Sequence, residues 1–331
     1  MKIMITGGTG FIGNELLKKL IQNGNDIHVF CRTTSDMSLI PKERTKIFNG
    51  NITDVESIEE CMKDCEQVYH LAAYAKNFAK DRNSFSKFNN YGLKNILDTA
   101  LNLNVKKILF ASTSVTFGPS KHPVSEQCVR SIPPLTDYEA SKIEAEKTTL
   151  TYLEKGLNIV TVNPTRLIGP GVSTEGNSVS KMIELYLKGK FRFILGDGNA
   201  IGNYVFIDDV VDGCIKAMDR GKTGGKYILG GENISYNELF FLISEISRKY
   251  FRMIHIPKSI ALFYSKVEQT IAKSFNYYPT ITPGWLNTFS LDWAFTSDKA
   301  INEINYKITP IEQAIKRTVN WIYSNNGVNP K

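Results

Sequence analysis

The chain has 331 residues, 42% hydrophobic and 22% charged, which is typical of a soluble globular protein with one large domain or two interleaved ones. No apolar run approaches the roughly 20 residues that span a bilayer, and the first residues lack a signal-peptide layout, so we expect a cytoplasmic protein without an integral membrane segment. The five cysteines lack metal-site spacings, which favours free thiols and no metal. The net charge of +7 is spread along the chain, so it argues only weakly for a polyanionic partner and suits an anionic cofactor equally well. We expect no nucleic-acid partner.

Short apolar runs alternate with amphipathic stretches over the first 160 residues, from "KIMIT", "NELLKKLIQNG" and "DIHVF" to "NIVTVNP". This pattern predicts an α/β fold with a doubly wound parallel sheet of the Rossmann type. Pro and Gly interrupt the pattern after Asn163, and longer helical patterns follow from Tyr236. We therefore predict a dinucleotide-binding domain over residues 1–165, joined by 203–222. A smaller, interleaved C-terminal substrate domain would take 166–202 and 223–331.

The second half contains an amphipathic helical pattern, "SIALFYSKVEQTIAK". Such a helix either packs on a core and roofs a pocket or touches a membrane surface, and the first interpretation is favoured because it is the commoner one. Aromatic side chains are frequent in the same half, and as a set they suit an apolar pocket although most should lie in the core. The candidates are Phe240, Phe241, Phe263, Tyr264, Tyr277, Tyr278 and Trp285.

Glycines at the N-terminus follow a strand and open a helix in "KIMITGGTGFIGNELLKKL", where Gly7, Gly10 and Gly13 are three residues apart. A tight strand-to-helix turn needs residues without a Cβ, and a pyrophosphate needs close backbone approach and the free N–H groups of a helix N-terminus. The segment therefore predicts a dinucleotide site.

The second strand indicates which dinucleotide is bound. It ends at Arg32, whereas Asp26 precedes the strand and Asp36 follows several residues later. An acid at the strand end would hold the ribose hydroxyls of NAD, whereas the planar fork of an arginine suits the extra phosphate of NADP. We expect NADP(H), with NAD(H) as the open alternative.

Six segments together resemble the motifs of the extended short-chain dehydrogenase/reductases, the NAD-dependent epimerase/dehydratase superfamily, over nearly the full length of the chain. They are "TGGTGFIG", "NGNITD", "VYHLAA", "NNYGLKNIL", "FASTSVTFG" and "DYEASK". The resemblance implies a catalytic set of Thr113, Tyr138 and Lys142, supported by Asn89. Thr113 has Ser112 and Ser114 as hydroxyl neighbours.

The same resemblance implies a set of cofactor contacts and a smaller set of substrate contacts. Tyr138 and Lys142 are also expected to contact the cofactor. The further cofactor residues are Gly7, Gly10, Phe11, Ile12, Gly13, Arg32, Ile52, Asp54, Leu71, Ala72, Ala73, Pro164 and Thr165. The substrate candidates are Ser114, Tyr74 and Arg166.

Tyr138 and Lys142 also make chemical sense as a pair. Residues four apart share a face of a helix, and a cation near a phenol, whose ordinary pKa is about 10, favours the phenolate. The pair Tyr186 and Lys190 has the same spacing but lies outside the expected window, so we interpret it as a chance match. Tyr138 is thus predicted to be the general acid/base, with Thr113 holding the substrate oxygen.

The segment "LGDGNAIGNYVFIDDVV" helps to distinguish nucleotide-sugar epimerases from reductases within the superfamily that the chain resembles. Nucleotide-sugar epimerases commonly carry an arginine that meets the diphosphate where this chain has Gly202, followed by Asn203. A glycine offers no charge-assisted contact, which favours a substrate without a diphosphate unless Arg166 or Arg192 substitutes. The segment "NPTRLIGPG" resembles the Asn-Pro-Thr form of this motif that is found in dihydroflavonol-reductase-like and 3β-hydroxysteroid-dehydrogenase-like members of the superfamily.

The predicted function is therefore an NADP(H)-dependent reduction of a carbonyl, or oxidation of the alcohol, on a fairly apolar small molecule. A nucleotide-sugar epimerase or dehydratase is the alternative. A non-catalytic NADP-sensing protein is disfavoured because such proteins usually lose the tyrosine or the lysine. A homodimer is possible, since relatives often dimerise through the helices that start here near Asn90 and Tyr138.

Overall fold

A computed structural model gives the structure of the protein for residues 1–76, 78–172, 177–275, 277–279 and 281–325. Its strands are β1 (Lys2–Thr6), β2 (Asp26–Cys31), β3 (Thr45–Asn49), β4 (Gln67–His70), β5 (Lys107–Ala111), β6 (Ser120–Val124), β7 (Ile159–Pro164), β8 (Arg166–Ile168), β9 (Phe193–Leu195), β10 (Ile201–Phe206), β11 (Lys226–Leu229), β12 (Glu232–Ser235), β13 (Ile254–Ile256) and β14 (Trp293–Phe295). Its helices are α1 (Phe11–Gln22), α2 (Val55–Met62), α3 (Asn83–Ser86), α4 (Gly92–Asn102), α5 (Asp137–Glu154), α6 (Ser178–Leu187), α7 (Ile207–Arg220), α8 (Tyr236–Ser247), α9 (Lys258–Ser274), α10 (Pro283–Phe289), α11 (Asp298–Ile304) and α12 (Ile311–Asn325).

The larger sheet has the strand order β11-β7-β5-β4-β1-β2-β3, and its neighbouring strands are parallel. Successive side chains point to opposite faces, so Ile3 and Ile5 join one apolar core while Met4 joins the other. Helices α2, α4 and α5 cover one face, and α1, α7 and α11 cover the other. Both faces are therefore buried, which explains the near-continuous apolar runs of these strands and confirms the predicted doubly wound α/β fold.

The smaller sheet has the order β12-β10-β14-β6, with β8 beside β10, and β9 pairs with β13 in a separate ribbon. The chain passes between the two large sheets several times. Strand β11, in the range predicted for the substrate domain, is an edge of the larger sheet because its buried "YIL" continues the parallel ladder at β7. Conversely, β6 lies in the smaller sheet although it falls within residues 1–165. The exact domain boundaries stay a prediction.

Two helix starts place chemical groups at the junction of the sheets. Helix α1 begins directly after the glycine turn, and α5 begins after Thr136, whose hydroxyl accepts from the N–H of Glu139 at 3.1 Å. A π-helical turn over Lys87–Tyr91 connects α3 to α4. Within the described ranges, none of the helices is long and apolar enough to cross a membrane.

Candidate active site

A cavity of 1110 Å³ lies at the carboxyl ends of the strands of the larger sheet and extends to the smaller sheet. Its walls come from the glycine turn, from the ends of β2, β4, β5 and β7, from the start of α5 and from the aromatic residues of α10 and β14. In open α/β sheets, ligands bind outside the carboxyl ends of the strands where the strand order reverses. Here that point lies between β1 and β4.

The glycine turn is packed so closely that side chains are excluded. A Cβ at Gly7, where φ is +77°, would lie 2.8 Å from the main-chain nitrogen of Ala72, and a Cβ at Gly13 would overlap the carbonyl oxygen of Gly7. Elsewhere in the cavity lining, the Thr165 hydroxyl is buried and bonds to none of the described residues. A close backbone cradle at a helix N-terminus, with an unsatisfied hydroxyl in the same cavity, fits a dinucleotide.

Predicted cofactor residues line this cavity with one exception. Lining positions are Gly7, Gly10, Phe11, Ile12, Gly13, Arg32, Ile52, Leu71, Ala72, Ala73, Tyr138, Lys142, Pro164 and Thr165. Asp54 lies outside this set, exposed at the N-cap of α2.

Arg32 is exposed at the end of β2, and no carboxylate of the described ranges lies within ion-pair distance of its guanidinium. Asp36, the nearby acid, is engaged locally: its Oδ1 accepts from the N–H of Ser38 at 3.0 Å and from the Ser38 hydroxyl at 2.6 Å. Both charged groups line the cavity, and one oxygen of the Asp36 carboxylate is bound to Ser38 while the Arg32 guanidinium is not engaged by a carboxylate of the described ranges.

Tyr138 and Thr113 both line the cavity, and the Thr113 side chain lies close enough to lower the pKa of the Tyr138 phenol. Burial has the larger effect and raises that pKa to about 12. The shift is opposite in sign to the one expected from a neighbouring cation, because desolvation of the phenolate outweighs other effects. Tyr138 therefore carries its proton at neutral pH.

Lys142 is 2% exposed, one turn further along α5. Its ammonium donates to the carbonyl oxygen of Ala111 at 2.8 Å and lies 4.9 Å from the ring centre of Phe110. Burial lowers the pKa of Lys142 to about 8, although Glu146 opposes the shift. The chain thus holds a desolvated, poorly compensated cation beneath the cavity.

Glu146, a residue that the motif comparison missed, organises the polar groups around Lys142. Its buried carboxylate accepts from Ser112 Oγ at 2.5 Å, from Asn163 Nδ2 at 2.8 Å and from Lys226 Nζ at 2.7 Å. The sequence contained a signal for Glu146: Tyr138, Lys142 and Glu146 follow one another at intervals of four residues, so they lie on the same face of a helix. Because Ser112 is bound to Glu146, Thr113 is the hydroxyl that faces Tyr138.

Asn89 does not line the cavity but lies buried in the π-helical turn. Its side chain accepts from the N–H of Tyr74 at 2.6 Å and donates to the Ser141 hydroxyl at 2.9 Å. Asn89 therefore connects α5 to the segment after β4. Tyr74 and Ser114, two of the substrate candidates, do line the cavity.

The far wall of the cavity is aromatic. Trp285 and Phe289 stack with ring centres 3.9 Å apart, and Trp293 and Phe295 complete the wall. Of the aromatic residues selected from the sequence, Tyr278 and Trp285 line the cavity and Phe240 is in the core. The others are exposed: Phe241, Phe263, Tyr264 and Tyr277. Amino-acid composition alone could not show which of these aromatic residues line the cavity and which lie on the surface.

Arg166, the third substrate candidate, begins β8 in the smaller sheet and lies beside the aromatic wall. Its guanidinium donates to the hydroxyl of Tyr236 at 2.8 Å and lies 4.8 Å from the ring centre of Phe289. One terminal nitrogen, Nη2, is buried and bonds to none of the described residues. A Cβ at Gly202 would overlap the guanidinium, so the missing side chain at position 202 is what makes room for Arg166.

In the second Tyr-x-x-x-Lys pair, Tyr186 belongs to the core and Lys190 is exposed. The Tyr186 ring is buried against Phe240 and Phe251, and its hydroxyl donates to the carbonyl oxygen of Lys249 at 2.8 Å. Among the residues in the described ranges that line the cavity, neither Tyr186 nor Lys190 is found.

Comparisons with known proteins agree with this geometry. Residues 3–230 match the NAD dependent epimerase/dehydratase family. A dihydroflavonol 4-reductase-like protein of Synechocystis sp. is 26% identical over 330 residues, covering 98% of this chain and 94% of that protein. Sterol demethylase protein B of Methylococcus capsulatus is 26% identical over 290 residues, covering 86% of this chain and 85% of that protein.

Among solved structures, UDP-glucose 4-epimerase of Thermotoga maritima superposes with a TM-score of 0.83 at 23% identity, covering 98% of this chain and 100% of that one. This likeness shows the shared fold. The family expected from the motifs is confirmed. The chain therefore belongs to the NAD dependent epimerase/dehydratase family of extended short-chain dehydrogenase/reductases, and it is an enzyme of the NAD(P)-dependent oxidoreductase type.

Proposed function

We propose that the protein reduces a carbonyl group on a fairly apolar small molecule with NADP(H). The main support is the position of a protonated Tyr138, next to Thr113, at the edge of a cavity whose far wall is aromatic. A proton donor next to an apolar binding surface is what carbonyl reduction requires. The resemblance of the chain to reductase-like relatives supports the same choice.

In the proposed mechanism, the Thr113 and Tyr138 hydroxyls both donate hydrogen bonds to the carbonyl oxygen of the substrate. A bound nicotinamide would supply the hydride to the carbonyl carbon. As the oxygen gains negative charge, Tyr138 transfers its phenolic proton to it, which gives the alcohol and leaves the phenolate. Lys142 stabilises that phenolate electrostatically, and a proton from solvent restores the phenol. Asn89 and Glu146 position α5 and its neighbours without touching the substrate.

A second function, epimerisation or dehydration of a nucleotide sugar, is supported by one observation. Arg166 places a guanidinium directly over Gly202, the position where nucleotide-sugar epimerases commonly carry the arginine that meets the diphosphate. Its buried Nη2 lacks a partner among the described residues. The same atom suits a single carbonyl or carboxylate oxygen on an apolar substrate, so Arg166 alone does not exclude the reductase.

A screen of NADPH oxidation over ketones, aldehydes and nucleotide sugars tests the reaction, with Tyr138→Phe as the variant. We expect Tyr138→Phe to lose about 10² to 10⁴-fold in kcat on the substrate found, because the proton donor is gone. Cofactor binding, followed by fluorescence, should change little. Undiminished activity of Tyr138→Phe would refute its role, and turnover of a nucleotide sugar without external reductant would establish the second function.

The NADP(H) preference is tested by titrating both cofactors. We expect NADP to bind more tightly than NAD, and Arg32→Ser to weaken NADP binding about 10 to 100-fold by removing a charge-assisted contact. NAD binding should be nearly unchanged. Arg220→Ser, which alters an exposed arginine away from the cavity, is the matched control. Tighter binding of NAD by the unmodified protein would contradict the role given to Arg32.

A further inference from the structure

Helix α9 faces its own protein with small and polar residues and faces outward with large apolar ones. Ser265, Glu268 and Ala272 are buried, whereas Phe263 is 72% exposed and its neighbours on the outer side are exposed too. These outward residues form the α9 face, which consists of Ile260, Phe263, Tyr264, Val267 and Ile271. Water-facing helices normally show the opposite arrangement.

Helix α12 shows that ordinary arrangement in the same protein. It buries Ile311, Ile315, Val319 and Ile322 and presents its charged residues to solvent. The α9 face is therefore not a general property of the C-terminal helices. A contiguous exposed apolar surface of this kind marks an interaction site.

The α9 face continues toward the mouth of the cavity. Phe275, directly after the helix, is 77% exposed, and Tyr278 is both half exposed and part of the cavity wall. The ammonium groups of Lys76 and Lys80 lie 4.7 Å and 5.2 Å from the ring centre of Tyr278. The exposed surface, the basic groups and the cavity entrance are thus neighbours.

Charge distinguishes between the possible partners. Residues 258–278 contain three lysines and one acidic residue, Glu268, whose side chain is buried. Lys266 is exposed at the border of the α9 face, and Lys258 is exposed at the N-terminal end of the helix. Lysine is depleted at protein–protein interfaces, whereas apolar and aromatic residues flanked by lysine are typical of helices that lie on anionic membranes.

We propose that the α9 face binds the surface of an anionic phospholipid bilayer, with α9 parallel to the membrane plane. The helix has 17 residues and a length of about 25 Å, so it lies in the interface and does not span it. Phe263 and Phe275 enter the headgroup region, and Lys258 and Lys266 contact the lipid phosphates. This binding does not depend on the reaction proposed above.

Flotation of the full-length protein with vesicles tests the proposal, using phosphatidylcholine alone or mixed with phosphatidylglycerol. We expect binding to the mixed vesicles that weakens as salt is raised. The double variant Phe263→Gln/Phe275→Gln should bind at least tenfold less, and Lys258→Glu/Lys266→Glu should lose the preference for anionic lipid. Leu150→Gln, which removes an exposed apolar side chain from α5, should bind as the unmodified protein does.

Failure of the unmodified protein to bind either vesicle would overturn the proposal, as would equal binding by the Phe263→Gln/Phe275→Gln and Leu150→Gln variants. A measurement of the oligomeric state tests the remaining explanation, in which the α9 face binds a second copy of the chain. A dimer that the phenylalanine variant converts to a monomer, without vesicle binding, would assign the α9 face to a second copy of the chain. Melting temperatures close to that of the unmodified protein would show that the variants remain folded, since the replaced side chains are exposed.

Discussion

The residue Lys142 illustrates a conflict between stability and the proposed chemistry. Its ammonium is buried beside a carbonyl oxygen and an aromatic ring, and Glu146, which lies one turn away, compensates the charge only in part. Burial of a poorly compensated charge is unfavourable for folding, and proteins retain it where function needs it. The position of Lys142 beneath Tyr138 and Thr113 supplies such a reason.

Lys142→Met should therefore stabilise the protein at pH 7 while abolishing activity. The pKa of Lys142 is 10.5 ordinarily and about 8 in the fold, so the unfolded chain binds more protons between these values and stability rises with pH across that window. The full penalty applies below pH 8, and we expect a gain of about 1 to 3 kcal/mol there. The gain should shrink toward pH 10.5.

Urea unfolding of both proteins across this pH range measures the difference. Lys147→Met, at an exposed position of the same helix, is the control and should change stability by less than about 0.5 kcal/mol. A Lys142→Met protein that is less stable at pH 7 would show that the ammonium is well compensated.

At the scale of elements, the junction of β1 and α1 depends on backbone contact. Gly13, in the first turn of α1, lies against the carbonyl oxygen of Gly7, and Gly7 lies against the main chain after β4. The glycines thus serve the packing of helix on strand as well as the approach of a ligand. The sequence pattern indicated the turn, while the structure assigns a contact to each glycine.

Gly13→Ala should destabilise the protein by about 1 to 3 kcal/mol and abolish cofactor binding, because the added methyl group forces Gly7 to move. Gly156→Ala is the matched control: Gly156 follows α5 with φ at +94°, and no atom of the described residues lies within 4 Å of an added Cβ. Its cost should be about 1 kcal/mol, from backbone strain alone, with cofactor binding intact. Unfolding curves and cofactor titrations check both, and normal cofactor binding by Gly13→Ala would contradict the assigned contact.

At the scale of the whole molecule, Asn203 joins the strands of the smaller sheet beside the cavity. Its Nδ2 donates to the Gly231 carbonyl at 3.0 Å and to Asn233 Oδ1 at 2.8 Å, while its Oδ1 accepts from the Gly231 N–H at 2.8 Å. An aspartate would keep the acceptor but lose the donor. The amide at position 203 therefore has a structural reason here.

Asn203→Ala should cost about 2 to 4 kcal/mol, since it leaves several buried groups unsatisfied. Asn203→Asp should also be destabilising, because its carboxylate would face the oxygens of Gly231 and Asn233. Asn199→Ala, in an exposed turn before β10, should cost less than about 1 kcal/mol. Thermal and urea unfolding measure all three. A cost below about 0.5 kcal/mol for Asn203→Ala would show that the network is not important for stability.

Features that depend on near neighbours along the chain could be predicted from the amino-acid sequence. The glycine turn, the arginine at the end of β2 and the i, i+4 series on α5 are local patterns, and each is set by backbone geometry within a few residues. The alternation of apolar runs with amphipathic stretches likewise predicted the doubly wound sheet. Strands that are buried on both faces are apolar throughout, so each one is recognisable from its own residues.

Features that depend on contacts between distant segments became visible only in the folded structure. Ser112 is occupied by Glu146 from α5, which leaves Thr113 beside Tyr138. Arg166 fills the space over Gly202. The apolar pattern of α9 indicated an amphipathic helix but not which side it would bury, because periodicity locates a face and only packing determines what covers it.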